Sequence, residues 1–160
     1  METAIFAAGC FWGVQYYFDQ VPGVLETEAG YIGGNVENPT YEQVCAHGTG
    51  HAEAVKIVYD PSQVSYETLL RQFFRMHDPT QLNRQGPDVG DQYRSAVFYL
   101  DEGQKELSQK IITELNEGKL SGTIVTTLEK AGKFWPAEDY HQKFTERTGR
   151  GMCHVPYAPV

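Results

Sequence analysis

The stretch "TAIFAAGCFWGVQYYF", residues 3–18, decides how this chain must be built. Residues 3 to 9 are short, apolar and closed by glycine, as a buried strand would be, and from Phe11 onward the apolar positions 11, 14, 17 and 18 follow a helical stripe. Cys10 therefore sits where a strand runs into a helix. There the unpaired N–H groups of the first turn and the positive end of the helix dipole favour a thiolate, and Gly9 leaves room for a substrate. A free cysteine is also a common core residue, so position alone leaves filler and nucleophile both open. The same holds for Phe11 and Trp12, which read either as core aromatics or as walls of an apolar pocket. "AAGC" looks like a lipidation box, but it follows Glu2 rather than a basic segment and a full apolar run.

Working outward, "VPGV" turns the chain and "VLETEAGYIGG" alternates in part like a strand before Gly33, Gly34 and "NVENPT" break it. A short helix through "TYEQVCAHG" is expected, capped by Thr40. "HAEAVKIVYD" alternates as a strand and is ended by Pro61. "SYETLLRQFFRMH" carries the clearest helical stripe, Tyr66, Leu69, Leu70, Phe73 and Met76, and Asp78 and Pro79 stop it. A polar loop from Pro79 to Gln92 leads to the strand "YRSAVFYL", the helix "GQKELSQKIITELNEGK" with Leu107, Ile111 and Leu115 facing inward, and the strand "TIVTTLE". "AEDYHQKF" reads as the start of a last helix, and "TGRGMCHVPYAPV" as an irregular, mobile end. Interleaved strands and helices predict an α/β or α+β two-layer sandwich with a single sheet and helices packed on it. One domain over 1–160 is expected, with 148–160 as its tail.

Composition narrows the function. The chain has 41% hydrophobic residues and a formal net charge of -8, from 21 acidic against 13 basic residues. Such a surface offers no basic field for a phosphate backbone or an anionic membrane, so neither nucleic acid nor a bilayer is an expected partner. The apolar run "AIFAAGCFWG" is too short to span a bilayer, and a cytoplasmic chain is expected. Three widely spaced cysteines, 10, 45 and 153, do not make a disulfide framework.

Several side chains carry candidate chemistry. Glu53 in "GTGHAEAV" is a solvent-facing strand residue if it points out, and a proton donor near pH 7 if it points in, because burial raises a carboxyl pKa. Tyr41 and Tyr93 are further donors among ten tyrosines. Cys45, His47 and His51 have nearly ligand-like spacing, but with no second cysteine pair no metal site is expected, and Cys45 reads as a core residue. His77, His141 and His154 are scattered. Cys153, in the tail, reads either as a thiol without a role or as one able to travel to a first sulfur and close a disulfide.

Taken together, "GCFWG" (9–13), "NPTYEQVCAHGTGHAEAVKIVYDP" (38–61), "HDPTQLNRQGPDVGDQYRSAVFY" (77–99) and "FWPAEDYHQ" (134–142) resemble the peptide methionine sulfoxide reductase A family over almost the whole chain. The resemblance implies a fold related to the ferredoxin-like sandwich and reduction of the S epimer of methionine sulfoxide, free or in proteins. It implies Cys10 as nucleophile, Phe11 and Trp12 as walls for the substrate methyl group, and Glu53 as the acid that protonates the sulfoxide oxygen. Tyr41 and Tyr93 would hydrogen-bond that oxygen, and Asp88 would help to position the substrate.

The product on the enzyme would be a Cys10 sulfenic acid. Cys153 would close a disulfide with it, and thioredoxin or a similar dithiol would reset the pair, in a monomer that needs no cofactor. Two departures stand out: Gln15 where many members carry glutamate, expected to matter little because it lies on the helix and not at the thiol, and a tail with one cysteine where many hold two. Two other classes compete. A thiol acyl-transferase or hydrolase would need a histidine beside Cys10, and a non-catalytic module would bind methionine-containing peptides through Phe11 and Trp12.

Overall fold

Residues Glu2–Ala8 form strand β1, and its alternation places Ala4, Phe6 and Ala8 on one face and Ile5 and Ala7 on the other, all buried. A strand buried on both faces belongs at the centre of a sheet. The computed structural model describes residues 1–46, 48–85, 88–117 and 124–149. In it β1 pairs antiparallel on one side with β3 (Ala52–Tyr59) and on the other with β6 (Ser95–Tyr99). Outside β3 lie β2 (Val24–Ile32) and then β8 (Trp135–Pro136). Outside β6 lies β7 (Thr127–Lys130), which runs parallel to it. The sheet is thus mixed, in the order β7-β6-β1-β3-β2-β8.

Three helices cover one face: α1 (Phe11–Asp19) over β2 and β3, with α3 (Tyr66–Met76) and α4 (Glu102–Glu117) packed together beside it. Phe11, Val14 and Phe18 of α1 and Leu69, Leu70 and Phe73 of α3 join Phe6, Val55 and Ile57 of the sheet in one core. Ala7, Ala54, Ala96 and Phe98 face the other way under Ala131 and Phe134, so the second face is covered near its centre by chain without helix. α2 (Tyr41–Cys45) begins with the expected cap. Thr40 Oγ1 accepts from Gln43 N–H at 3.1 Å, and Gln43 Oε1 accepts from Thr40 N–H at 2.9 Å, a reciprocal capping box.

The sandwich is the predicted one; three local expectations change. The loop after Pro79 contains a short antiparallel pair, β4 (Arg84–Gln85) and β5 (Asp88–Val89), and a 3-10 turn at Asp91–Tyr93. The strand expected over "TIVTTLE" starts later, at Thr127, because Ile124 N–H is held by Asn116 Oδ1 and Val125 N–H by the Pro79 carbonyl. The last helix is also displaced. "AEDYHQKF" makes a 3-10 turn, Asp139–His141, and then a left-handed residue, Lys143 (φ 57°), before α5 (Phe144–Thr148).

The reason lies in Gln142. Its Oε1 accepts from Ala29 N–H and its Nε2 donates to the Ala29 carbonyl, both at 2.9 Å, so a side-chain amide continues the edge of β2 beyond β8. That tertiary pairing overrides the helical pattern of the segment. Of the predicted tail, Thr148 and Gly149 are described; residues 150–160, Cys153 among them, lie outside the described residues.

Candidate active site

The site is built where β1 hands over to α1. Gly9 takes φ 94°, a left-handed value that a side chain would oppose, and so turns the strand into the helix in one step. Cys10 is the N-cap of α1 and is part-buried, and its side chain makes no capping hydrogen bond. A thiol there lies beside the N–H groups of the first turn, where a negative charge is favoured.

The floor is β3. Glu53 shares the parity of Val55 and Ile57 and pairs in register with Tyr31, so its side chain points to the helix face, beneath the start of α1. It is 1% exposed. Phe11 N–H donates to Glu53 Oε1 at 3.3 Å, while Oε2 is buried with no hydrogen-bond partner among the described residues. Burial pushes the carboxyl up to about 8; the Phe11 N–H opposes that shift and the charge of Asp88 adds to it. Near pH 7 Glu53 is therefore a neutral acid, a donor whose own hydrogen bond is unfilled. The inward alternative from the sequence is the one adopted.

Tyr41, the first residue of α2, and Tyr93, at the end of the 3-10 turn, approach from two sides. Burial raises both phenols, and the Glu53 charge adds to each shift, so both remain O–H donors. Both hydrogen-bond to the thiol of Cys45. Tyr93 also lies within electrostatic reach of Asp88 and Cys10, which brings Cys10, Glu53, Tyr41, Tyr93 and Asp88 into one cluster. Cys45 is not the core residue expected: it is part-buried and sits between the two phenols.

The two predicted walls differ. Phe11 is fully buried, against Tyr31 and His141 at centroid distances of 5.6 and 5.2 Å. Trp12 is part-exposed, stacked on Phe144 at 4.0 Å and near Tyr41 at 6.4 Å. Trp12 thus presents open ring surface, and Phe11 backs it.

Sequence reasoning passed over the turn behind this wall. Trp12 Nε1–H donates to Nδ1 of the buried His141 at 2.8 Å. Glu138 Oε2 accepts from Tyr41 N–H at 3.0 Å, and its Oε1 accepts from the Tyr31 hydroxyl at 2.8 Å. The available signal was a glutamate and a histidine three apart in "PAEDYH", between a proline and a helix start.

Gln15 was also undervalued. It is 1% exposed, its Nε2 donates to Thr27 and to Gln142 Oε1, and its Oε1 accepts from Lys143 N–H, which ties α1 to β2 and to the last turn. Of the ligand-spaced group, His47 lies outside the described residues. Both nitrogens of His51 are used by backbone, at Gly34 N–H and the Val36 carbonyl.

A thiol at a helix N-cap, over a buried neutral acid and beside two phenols, brings a nucleophile and proton donors into one site, the groups that a thiol enzyme uses. The model of the family described as "Peptide methionine sulfoxide reductase" matches residues 2–160. Peptide methionine sulfoxide reductase MsrA of Methanoculleus marisnigri is 51% identical over 156 residues, covering 97% of this chain and 95% of that one. The reduced form of Mxr1 from Saccharomyces cerevisiae superposes with a TM-score of 0.86 at 32% identity, covering 98% of this chain and 90% of that one. Methionine sulfoxide reductase A of Corynebacterium diphtheriae gives 0.83 at 37%, covering 95% and 77%.

The chain belongs to the peptide methionine sulfoxide reductase A family. It is an oxidoreductase with peptide-methionine (S)-S-oxide reductase activity.

Proposed function

We propose that this chain reduces methionine S-sulfoxide, in proteins and as the free amino acid, by direct attack of Cys10 on sulfur, with Glu53 as the proton donor. The observation that carries the reading is Glu53 itself: a neutral, buried acid whose Oε2 has no partner among the described residues, at the N-terminus of the helix that Cys10 caps. An orphaned donor in that place is satisfied by an acceptor that arrives with the substrate. A sulfoxide oxygen is such an acceptor, and sulfoxide sulfur is a poor electrophile until that oxygen is protonated or strongly hydrogen-bonded.

The Cys10 thiolate attacks sulfur, Glu53 gives its proton to the oxygen, and Tyr41 and Tyr93 turn their hydroxyls from Cys45 to the same oxygen. Trp12, backed by Phe11, holds the substrate methyl group, and Asp88 helps to orient the substrate. The oxygen then passes, as hydroxyl, from the substrate sulfur to Cys10 Sγ as the new bond between the two sulfurs breaks, so the thioether leaves and Cys10 is left as a sulfenic acid: the sulfoxide is reduced by two electrons and Cys10 oxidised by two. Cys153 then attacks the sulfenic sulfur, giving a Cys10–Cys153 disulfide and water, and thioredoxin or a similar dithiol restores both thiols. The role is repair of oxidised proteins, in a cytoplasmic monomer without a cofactor; charge and sequence alone support its placement.

A stoichiometric assay tests this. Reduced protein mixed with excess S-epimer methionine sulfoxide and no recycling dithiol should yield one methionine and lose two thiols per chain. In Cys153→Ser the yield should stay at one while only the Cys10 thiol is lost. No methionine from the native chain sinks the reading. Two thiols lost in Cys153→Ser would transfer the resolving role to Cys45.

A further inference from the structure

We propose that His141 is a positioning residue: by accepting the indole N–H of Trp12 it fixes the plane of the ring that receives the substrate methyl group. The inference rests on the assignment of Trp12 as that wall. Trp12 is stacked on Phe144 with ring planes 19° apart, which leaves the indole free to slide in its own plane. The 2.8 Å bond from Nε1–H to His141 Nδ1 removes that freedom, because a hydrogen bond to a buried acceptor is directional where stacking is not.

His141 is itself held. It is 0% exposed and wedged among Phe11, Tyr41 and Tyr140, with centroids at 5.2, 4.4 and 4.1 Å. Accepting at Nδ1 also assigns its proton. A neutral imidazole that accepts on Nδ1 carries hydrogen on Nε2, and here Nε2 is buried without a hydrogen-bond partner among the described residues, 4.0 Å from Glu138 Oε1. The bond therefore exists only with the neutral ring. A proton on Nδ1 would set two N–H groups against each other and release Trp12.

Burial lowers the His141 pKa and the Glu138 charge opposes that shift, so the ring is neutral at physiological pH and the release falls in the acid range. The titratable groups facing it are Glu138 and Tyr140 on its own turn and Tyr41 from α2; α1 presents only Phe11 and Trp12.

The experiment compares the native chain with His141→Phe, His141→Asn and Trp12→Ala, reading KM and kcat for S-epimer methionine sulfoxide from pH 5 to 8, and the Trp12 indole N–H resonance in a Trp135→Phe background. His141→Phe should raise KM by about fivefold to tenfold, the loss of one hydrogen bond, with kcat changed by less than about twofold. In His141→Asn the Oδ1 atom can take the place of Nδ1, so KM should stay near native at pH 7 and remain flat in acid, where the native KM rises.

In the native chain the Trp12 N–H resonance should move with the same acid midpoint. If KM rises in Trp12→Ala but not in His141→Phe, the role of His141 falls and the wall stands. If Trp12→Ala leaves KM unchanged, the wall assignment falls and takes this inference with it. Should His141→Phe not fold, the native acid titration decides alone, and a Trp12 resonance that does not move overturns the proposal.

Discussion

Glu53 on β3 and Glu138 on the turn before α5 both lie within the site, and their surroundings drive them apart. Burial dominates at Glu53, where one N–H at 3.3 Å does little to hold a charge, and the carboxyl stays protonated up to about pH 8. Burial also acts at Glu138, but hydrogen bonds from Tyr41 N–H, its own N–H and the Tyr31 hydroxyl outweigh it and hold the carboxyl below its usual range. One strand thus holds a neutral acid, and the turn opposite holds a fixed anion that anchors the phenol side of the site. Depth with few donors keeps one carboxyl neutral, and several donors at a shallower place hold the other charged.

The comparison breaks most visibly at Glu53. Glu53→Gln keeps the acceptor for Phe11 N–H and removes the proton, so steady-state methionine formation should drop by about 10²- to 10⁴-fold, the usual contribution of a general acid. Native kcat should fall as pH rises through about 8. That limb should be missing from the residual activity of the variant.

Stability should follow the same group. A folded-state pKa above the unfolded value of about 4.3 means its contribution is complete below that value and lost as pH rises toward about 8. Relative to the native chain, Glu53→Gln should therefore gain Tm progressively across that window and hold the gain above it. Equal Tm differences at pH 4 and pH 9 would show that Glu53 is not a buried neutral acid.

Glu138→Gln sharpens the other side. Its amide can accept from one of Tyr41 N–H and Tyr31 O–H but not from both oxygens, leaving a buried donor unmet at about 1–3 kcal/mol, measured by denaturant unfolding. Because the carboxyl pKa is lowered in the fold, the native advantage should be full at neutral pH and shrink in acid as the folded carboxyl titrates. The smallest effect is expected at Gln15→Ala. It removes the tie from α1 to β2 and the last turn at a cost of about 1–2 kcal/mol, with little change in kcat, since Gln15 touches no reacting group.

Much of this was legible in order along the chain. The strand-glycine-cysteine-helix junction, the Thr40 cap and the stripe of α3 follow from local periodicity and hydrogen-bond chemistry, and the structure keeps all three. The stripe missed one member, Phe74, which is buried too. The segment from Ala137 to Phe144 was misread, because a helical pattern there loses to an amide that borrows the edge of β2. The settings of Cys45 and His141 depend on distant chain for a related reason: Tyr93, one of the two phenols on Cys45, is 48 positions away, and Trp12, on His141, is 129 away.

Neighbouring residues are enough to specify where strands turn into helices, which residue caps them, and which side chains are available for chemistry. Packing of distant segments is what turns Glu53 inward, raises its pKa to about 8 and leaves its Oε2 with no partner among the described residues. It also assigned Trp12 to His141 and Glu138 to Tyr41. Propensity and capping are properties of a few consecutive residues, whereas desolvation and hydrogen-bond balance depend on everything that packs around an atom.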